Sequence, residues 1–482
     1  MTQNKKIAII GGGIAGLAAA YKIQEEIVSN GTPIDCYVLE GGDSFGGKIR
    51  TDRFDGFVVE RGPDSFISQK PWAIDLCKRL GLEDRLVGTK TENAKTFVYV
   101  GKKMQTLPEG LSLLVPTKFL PFATTALFSW FGKIRMGMDL IIPKKKDEED
   151  ESLASFVRRR LGNEALKRMA QPMLAGIYGS DPEKMSIKST FPMFFQTEQK
   201  YRSLILGMLV KKREMMKAPK RESSRPAFSM FMTLKSGLGE MVEAILEKSP
   251  HINFKPKVKI RTVSFKDGNG LPKWTVVPEK GEPLTFDAII MAPPANISAN
   301  LLSQCAPELS ELLHRIPYVS TAAITLAYRK DGFSHPLKGF GFLVPKSEGF
   351  HISACTWTSS KYPERAPDGF VLLRCYLGGA LNEELAERDP EALASLVQED
   401  LRAIMGITEK PVFCRVYVNR KANVQYLVGH QKLVESINEK VEDLPGLYLS
   451  GSAYTGIGIP DCINNGNVAA GSALKFLFPK TK

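Results

Sequence analysis

Hydrophobic residues at the start of the chain follow first a strand-like and then a helical pattern. Residues 5–10 form a short apolar run rich in β-branched side chains, which predicts a buried parallel strand. Apolar positions between 17 and 27 recur at helical spacing, and Gly31 follows where a C-capping glycine belongs. A second strand is predicted over residues 34–40 and ends on Glu40. The pattern therefore predicts a β-α-β unit, the building block of a doubly wound α/β domain.

Strand-like runs cluster again in the second half of the chain. They are separated by glycine, proline and aspartate turns, and they cover residues 321–328, 340–344, 352–357 and 371–377. This pattern predicts an antiparallel sheet that belongs to a substrate domain. The chain closes with a predicted strand at 446–450, a glycine-rich turn at 451–461 and a helix at 463–476, which mirrors the opening unit.

Shorter patterns fill the rest of the chain. Strands are predicted over residues 56–66, 257–260, 274–277 and 287–294, and helices over 73–80, 153–163 and 390–405 and from 236 onwards. The charged run 144–151 predicts a solvated linker. The basic stretch 211–226 predicts a loop, with a lid as the alternative.

The most apolar stretch covers residues 111–132. Its uninterrupted runs are short and contain Pro116, Lys118 and Pro121, which argues against a transmembrane helix. Three interpretations stay open for it: core helices, a hydrophobic substrate channel, and a surface that rests on a bilayer.

A G-x-G-x-x-G motif joins the first predicted strand to the first helix, over residues 11–16. Gly11 permits the tight turn, Gly13 lets a diphosphate approach the backbone, and Gly16 lets the helix pack close to the strand. The helix N-terminus offers free N–H groups and a partial positive charge to the diphosphate. Glu40 is predicted to accept hydrogen bonds from an adenosine ribose. The alternative, a purely structural glycine turn, is disfavoured because strand, motif, helix and terminal acid occur in order.

A second glycine turn, Gly46-Gly47-Lys48-Ile49-Arg50-Thr51, follows Glu40. It resembles the signature of flavin-containing amine-oxidase-like enzymes, in which such a turn lies against FAD. Lys48 then supplies positive charge near the phosphates or the flavin. Backbone N–H groups of residues 62–65 are predicted to lie against the flavin ring. The alternative for the turn is a basic surface loop.

Composition and charge narrow the classes of function. A chain of 482 residues predicts two or three domains. The net charge of +13 suits a solvated surface, an anionic small molecule or an anionic membrane, and nucleic acid is disfavoured because no nucleic-acid module is visible. The seven cysteines occur singly without a C-x-x-C motif, the five histidines are unclustered, and no signal peptide is visible. These features predict a reduced, cytoplasmic chain without a metal.

Several further motifs extend nearly end to end along the chain. They are Glu60-Arg61-Gly62-Pro63-Asp64-Ser65-Phe66, Ser189-Thr-Phe-Pro192, Gln196-Thr-Glu-Gln-Lys200, Arg202-Ser-Leu-Ile-Leu-Gly207, Ala354-Cys-Thr-Trp-Thr358 and Gly456-Ile-Gly-Ile-Pro-Asp-Cys-Ile463. Together with the two glycine turns, they make the chain similar to the FAD-dependent coproporphyrinogen III and protoporphyrinogen oxidases of the soluble, Gram-positive bacterial type.

The resemblance implies an amine-oxidase-like flavoprotein that takes part in haem biosynthesis. Such enzymes remove six electrons from a porphyrinogen through non-covalent FAD, and oxygen is reduced to hydrogen peroxide. Catalysis is centred on the flavin, so no acid or base residue is assigned. The cofactor contacts implied are Gly11, Gly12, Gly13, Ile14, Ala15, Gly16, Glu40, Gly41, Lys48, Gly62, Pro63, Asp64, Ser65, Val258, Ile457, Gly458 and Ile459.

The substrate carries propionates, for which a cationic site is chemically suitable. Lys70 matches a lysine of the family's site, and Arg61, Arg202 and Arg374 are further candidates. Transient contact with other haem-pathway enzymes and peripheral contact with a membrane are also implied as open possibilities.

The predicted division places an FAD-binding domain in residues 1–72, 236–300 and 416–482. A substrate-binding domain takes 73–115, 190–235 and 301–415, and a helical, membrane- or channel-forming subdomain takes 116–189. The chain departs from the family where Val418-Asn419 replaces an Arg-Trp pair and Val424 precedes Gln425-Tyr426. Since that tryptophan is expected near the flavin, the local FAD contact is in question.

Three alternative functions remain on the same fold. An amine oxidase is disfavoured because the Ser-Gly-Gly-Cys-Tyr segment that often carries a covalent flavin is absent. A carotenoid-type desaturase would be expected to sit on a membrane. A flavoprotein without turnover would act as a binding partner in haem assembly, and an absorbance change with porphyrinogen would distinguish it from an enzyme.

Overall fold

A five-stranded parallel sheet forms the centre of one part of the molecule. The computed structural model describes residues 4–90, 94–108, 111–112, 115–116, 119–217, 229–266, 273–331, 333 and 335–479. The strands lie in the order Ile252–Lys255, Ile34–Leu39, Lys5–Ile10, Ala288–Met291 and Leu447–Leu449. The predicted β-α-β unit is confirmed, since strand Lys5–Ile10 is followed by helix Ile14–Asn30 with Gly31 as its left-handed C-cap.

The first and last long helices of the chain pack together on this sheet. Helix Ile459–Leu477 crosses helix Ile14–Asn30 so closely that a Cβ at Gly466 would overlap with the carbonyl oxygen of Ala15. Glycine at this crossing brings the two helix N-termini to the same edge of the sheet.

A seven-stranded mixed sheet forms the second part. Its strands, in order, are Phe413–Val424, Tyr318–Arg329, Phe370–Gly378, Ala354–Trp357, Gly341–Leu343, Thr96–Val100 and Lys103–Thr106. The predicted antiparallel pairing is confirmed among the strands between residues 318 and 378. One pair, Gly341–Leu343 with Thr96–Val98, is parallel.

Helices dominate residues 119–217. They span Phe119–Thr124, Trp130–Gly137, Leu153–Arg160, Asn163–Ala165, Leu166–Ala170 (a π-helix), Gln171–Tyr178, Ile187–Thr190, Pro192–Tyr201 and Leu204–Lys217. A buried ion pair holds them, because Nε of Arg160 donates to Oδ1 of Asp139 at 2.6 Å and neither side chain is exposed. Ser203 also donates to Asp139, at 2.6 Å.

The remaining elements are short and lie around these parts. The strands are Thr51–Phe54, Phe57–Glu60, Phe66–Ile67, Leu86–Gly88, Leu111–Ser112, Val115–Pro116, Phe231–Leu234, Ile260–Lys266, Lys273–Pro278 and Leu284–Phe286. The helices are Trp72–Arg79, Glu83–Arg85, Met138–Leu140, Gly239–Glu247, Ala295–Leu302, Pro307–His314, Lys346–Glu348, Thr358–Lys361, Glu383–Glu387, Pro390–Met405 and His430–Glu442.

Four local predictions were wrong. The predicted strand at 257 starts only at Ile260, because Lys257 has a left-handed φ of 61° and lies in a turn. The helix predicted to reach residue 163 ends at Arg160, before Gly162 at a φ of 93°. The last helix begins four residues earlier than predicted, at Ile459. The predicted basic loop is helical up to Lys217, and residues 218–226 lie outside the described residues.

The charged run 144–151 is not simply solvated. Oε1 of Glu151 accepts from Arg159 at 2.6 Å, and Oδ2 of Asp150 accepts from the N–H of Gly429 at 2.9 Å. The charged run is thereby bonded both to helix Leu153–Arg160 and to Gly429, the N-cap of helix His430–Glu442.

The division into domains stays a prediction. Strand Phe413–Val424 crosses the boundary placed at residue 416 and pairs along its length with Tyr318–Arg329. Of the apolar stretch 111–132, the structure describes only part. Within the described residues, none of the helices combines the length and the hydrophobicity that crossing a bilayer requires.

Candidate functional site

The predicted cofactor residues converge at the carboxyl ends of the parallel strands. The N–H of Gly11 donates to the carbonyl of Leu39 at 2.9 Å, and the N–H of Gly46 donates to the carbonyl of Gly12 at 2.8 Å. Gly11 has a φ of 96°, and a Cβ there would lie 3.0 Å from the backbone of Ala292. The two glycine turns and the end of the next strand therefore form one continuous edge, where α/β folds bind ligands.

Gly13 and Gly16 are glycines for different reasons. A Cβ at Gly16 would overlap with the carbonyl oxygen of Gly11, so this position serves helix–strand packing. A Cβ at Gly13 would meet no atom of the described residues within 4 Å and would point into open space. The helix that starts at Ile14 has no side-chain cap and no acidic residue in its first turn. Its first N–H groups are thus left for an anionic ligand beside Gly13.

Glu40 fixes the ends of both loops beside this space. Its Oε2 accepts from the N–H of Gly12 and its Oε1 from the N–H of Gly42, each at 2.7 Å. Its backbone carbonyl accepts from the N–H of Val258 at 2.8 Å. A carboxylate has about four acceptor positions, so two bonds leave capacity for a ribose hydroxyl.

Lys48 joins the second glycine turn to the mixed sheet. Its side chain is accessible to water, yet burial among protein atoms lowers the pKa of its amine. A group has both properties when the space around it is enclosed by protein. Its Nζ donates to the carbonyl of Ala422, in the strand Phe413–Val424 of the mixed sheet. The accessible space around Lys48, which we call the cavity, is therefore inferred to lie between the glycine turns and that sheet.

The loop Gly62–Ser65 is held by a buried arginine. Arg374 donates to the carbonyl of Gly62, is 3% exposed, and stacks 5.2 Å from the ring centre of Tyr376. The Nε and Nη1 atoms of Arg374 have no partner among the described residues. Burial alone would raise the pKa of Asp64, but the charges of Lys361 and Arg374 outweigh it and hold that pKa below its ordinary value.

Lys70 lies across from the second helix N-terminus. Its Nζ is 2.6 Å from Oδ1 of Asp461, in the first turn of helix Ile459–Leu477. Gly458 is the N-cap of this helix and supplies no side chain to satisfy its N–H groups. Ile457 and Ile459 pack into the apolar core on either side of the turn.

Two of the four predicted substrate residues already bind other groups of the protein. Arg61 donates to Asp52 at 2.8 Å on the outer side of the hairpin Thr51–Glu60, and its guanidinium lies over the ring of Tyr417. Arg202 is exposed in the helical part and donates to the carbonyl of Leu140 at 3.0 Å. Their role with a substrate stays a prediction, as do the roles of Lys70 and Arg374.

These features fit FAD on the chain's own geometry. The open space at Gly13, the uncapped helix and the spare acceptors of Glu40 match a diphosphate and a ribose. Lys48 and Gly62, on two further turns, are each bonded to the mixed sheet, through the carbonyl of Ala422 and the side chain of Arg374.

Comparison with known proteins places the chain in one class. The model of the family described as flavin-containing amine oxidoreductase matches residues 14–474. The chain belongs to this family. It is an FAD-dependent oxidoreductase with the amine-oxidase-like fold, which confirms the predicted fold class and cofactor.

Individual relatives match over almost the whole chain. It is 38% identical to the coproporphyrinogen III oxidase of Bacillus subtilis (strain 168), over 99% of this chain and 100% of the relative. It is 32% identical to the coproporphyrinogen III oxidase of Staphylococcus aureus (strain NCTC 8325 / PS 47), over 97% and 98%. A crystal structure from Exiguobacterium sp. 255-15, provisionally designated a protoporphyrinogen oxidase, superposes with a TM-score of 0.84 at 30% identity and covers 98% of this chain and 99% of its own. The predicted family resemblance is confirmed.

Sequence reasoning missed the partners of the site residues. Asp461 was part of a quoted motif but received no role, and Lys361, 3.8 Å from Asp64, was not singled out. The position of Asp461 at the end of the predicted turn, just before the predicted last helix, was the available signal. Nothing in the local sequence marked Lys361.

Proposed function

We propose that the protein oxidises coproporphyrinogen III to coproporphyrin III in haem biosynthesis, with oxygen as the electron acceptor and protoporphyrinogen IX as a second substrate. The observation that supports this most is the 38% identity, over the full length of both chains, to a protein named coproporphyrinogen III oxidase. Six hydrogens leave the porphyrinogen in three two-electron steps, and three molecules of oxygen become three of hydrogen peroxide.

Bound FAD supplies the hydride acceptor for each step. The chain's own residues bind the cofactor and orient it. The uncapped helix at Gly13 holds the diphosphate, and Glu40 holds the ribose. The buried guanidinium of Arg374 binds the carbonyl of Gly62, so that the loop Gly62–Ser65 has a fixed position.

A carboxylate-rich substrate suits the charges around the cavity. Lys70 keeps 40% of its side chain exposed, and an ammonium has three donors of which Asp461 takes one. Lys48 adds a second cation on the cavity side of the glycine turn. The net charge of +13 also favours the approach of a tetra-anion.

The test is oxidation of the two porphyrinogens side by side, with porphyrin fluorescence and peroxide followed together. We expect faster turnover of coproporphyrinogen and about three peroxides per porphyrin. Assays without protein and with FAD-stripped protein correct for spontaneous oxidation. Absence of porphyrin above those controls, with FAD bound, would reject the proposal and favour an amine, a desaturase substrate or a non-catalytic role.

We also propose peripheral contact with an anionic membrane surface. Five apolar side chains on one short segment, which we call the Trp130 patch, are strongly exposed: Trp130, Phe131, Ile134, Met138 and Ile141. The ammonium of Lys133 lies among them, 4.4 Å from the ring centre of Trp130. Apolar side chains with adjacent lysine suit an interface with anionic headgroups.

Vesicle sedimentation tests this contact. The protein is expected to bind phosphatidylglycerol-containing vesicles more than phosphatidylcholine vesicles, and Phe131→Ser with Ile134→Ser should lower that binding without altering porphyrinogen oxidation. Leu284→Ser, at an exposed apolar position outside the patch, is the matched control. Equal sedimentation of all variants would exclude the membrane proposal and leave another haem-pathway enzyme as the occupant to test.

A further inference from the structure

Lys70 and Asp461 form one ion pair between distant parts of the chain. They are 391 residues apart, and Nζ lies 2.6 Å from Oδ1. The side chain of Asp461 is only 12% exposed, whereas that of Lys70 is 40% exposed. The acid is therefore the fixed member of the pair, and the lysine is the member that reaches accessible space.

Asp461 is held where several elements meet. Two tyrosines come close enough for its charge to act on them. Burial, with a smaller contribution from Asp461, raises the pKa of Tyr178 to about 12, and Tyr178 ends the helix Gln171–Tyr178 of the helical part. The pKa of Tyr426 is raised in the same way, by burial first and by Cys462 and Asp461 second. The carboxylate of Asp461 also packs against Gly456, where a Cβ would collide with it.

We propose that Asp461 is a positioning residue, which fixes the ammonium of Lys70 so that its remaining N–H donors meet a carboxylate of the substrate. This inference rests on the proposed function, because it assumes a substrate with carboxylates. A free lysine has a long, flexible side chain and points mostly into water. A partner that is itself mostly buried restricts the ammonium and leaves two of its three donors for the ligand.

Asp461→Asn tests the role while preserving shape. Asparagine keeps an oxygen that can accept a hydrogen bond but loses the charge that fixes Lys70. We expect KM for coproporphyrinogen to rise about five-fold, the ratio that corresponds to a partly exposed ion pair. We expect kcat and the absorbance spectrum of bound FAD to stay unchanged, because the change affects only the docking of the substrate.

A double-mutant cycle separates positioning from a purely structural effect. If Asp461 acts through Lys70, then Asp461→Asn should change KM in the native chain and have no effect in a Lys70→Ala background. The matched control is the pair Lys273–Asp287, which has the same separation of 2.6 Å and a similarly buried acid, with exposures of 52% and 6%. Asp287→Asn lies outside the described site and should leave KM unchanged.

Two results would overturn the inference. One is an unchanged KM in Asp461→Asn with Lys70→Ala raising it. The other is an equal, additive effect of Asp461→Asn with and without Lys70. If the native protein oxidises neither porphyrinogen, the proposed function fails on its own, and the same cycle is measured as fluorescence-detected binding of coproporphyrin, which carries the same carboxylates but needs no turnover. Coupled losses of binding would still support the pair, and uncoupled losses would reject it.

Discussion

Gly13 offers a direct test of the diphosphate site, because its replacement should affect the cofactor and not the fold. Its backbone has φ −73° and ψ 176°, an extended conformation that every residue can adopt. A methyl group there would meet no atom within 4 Å in the part of the chain that the structure describes. Gly13→Ala should therefore leave the FAD-free protein as stable as before, or more stable by about 0.4–1 kcal/mol, since alanine restricts the unfolded chain.

In the FAD complex the same methyl group would occupy the space of the diphosphate. Loss of one or two charge-assisted hydrogen bonds to the helix costs about 3 kcal/mol, which raises Kd about a hundred-fold. At an FAD concentration of about 100 times the native Kd, the ligand stabilises the native protein by about 2.7 kcal/mol. The same concentration should stabilise Gly13→Ala by only about 0.4 kcal/mol.

Chemical unfolding with and without FAD, combined with calorimetric titration, measures both quantities. Gly31→Ala is a control for glycine replacement in open space, where φ is 60°; it should lower stability by about 1 kcal/mol and leave Kd unchanged. Gly16→Ala should destabilise even the FAD-free protein, because its Cβ would overlap with the carbonyl of Gly11. Native-like FAD affinity in Gly13→Ala, or a loss of FAD-free stability as large as in Gly16→Ala, would refute the assignment.

Three further changes give clear expectations. Asn419→Trp, in the half-buried strand position opposite Thr321, should slow FAD release in a stopped-flow chase if this place touches the cofactor, and an unchanged rate would show that it does not. Asp52→Asn should lower the free energy of unfolding at pH 7. Burial opposes ionisation of Asp52, but hydrogen bonds from Arg61 and Tyr417 hold its pKa below the ordinary value. The contribution of Asp52 to stability is therefore present above about pH 4 and is lost as the pH falls through the folded pKa. A difference from the native protein that persists in full at low pH would contradict this sign. Asp139→Ala should cost about 3–5 kcal/mol in urea unfolding because it leaves the fully buried Arg160 without its main partner, whereas Lys432→Ala in an exposed pair should cost less than about 1 kcal/mol.

The opening unit could be predicted from sequence because its causes are local. The period of the apolar residues and the positions of Gly11, Gly16 and Gly31 fix the strand, the turn and the helix without reference to the rest of the chain. The turn at Lys257 could not be predicted, since a lysine with positive φ carries no local signal. That turn is imposed by hydrogen bonds from the N–H groups of Lys257 and Val258 to the loop that follows strand Ile34–Leu39.

Runs of charged residues were harder to interpret, because the sequence does not show whether a charged side chain is solvated or paired with another group of the protein. The acids of 144–151 have the composition of a linker, yet Asp150 meets Gly429, 279 residues away. The ion pair of Lys70 has the same property, since its partner is 391 residues distant. Sequence pattern therefore identified the residues of the site better than it identified what holds them.

The four cations predicted to bind the substrate can be ranked by the groups that they already bind, because a substrate carboxylate must compete with those groups. Arg61 donates through two nitrogens to Asp52, at 2.8 and 2.6 Å, so a propionate would have to displace a carboxylate there. Arg374 is 3% exposed and already serves the carbonyl of Gly62. Arg202 already donates to the carbonyl of Leu140, at the end of helix Met138–Leu140. Lys70 is accessible, lies beside a helix N-terminus and has Asp461 as its one ionic partner among the described residues. Substrate affinity should therefore respond to its charge before that of the three arginines.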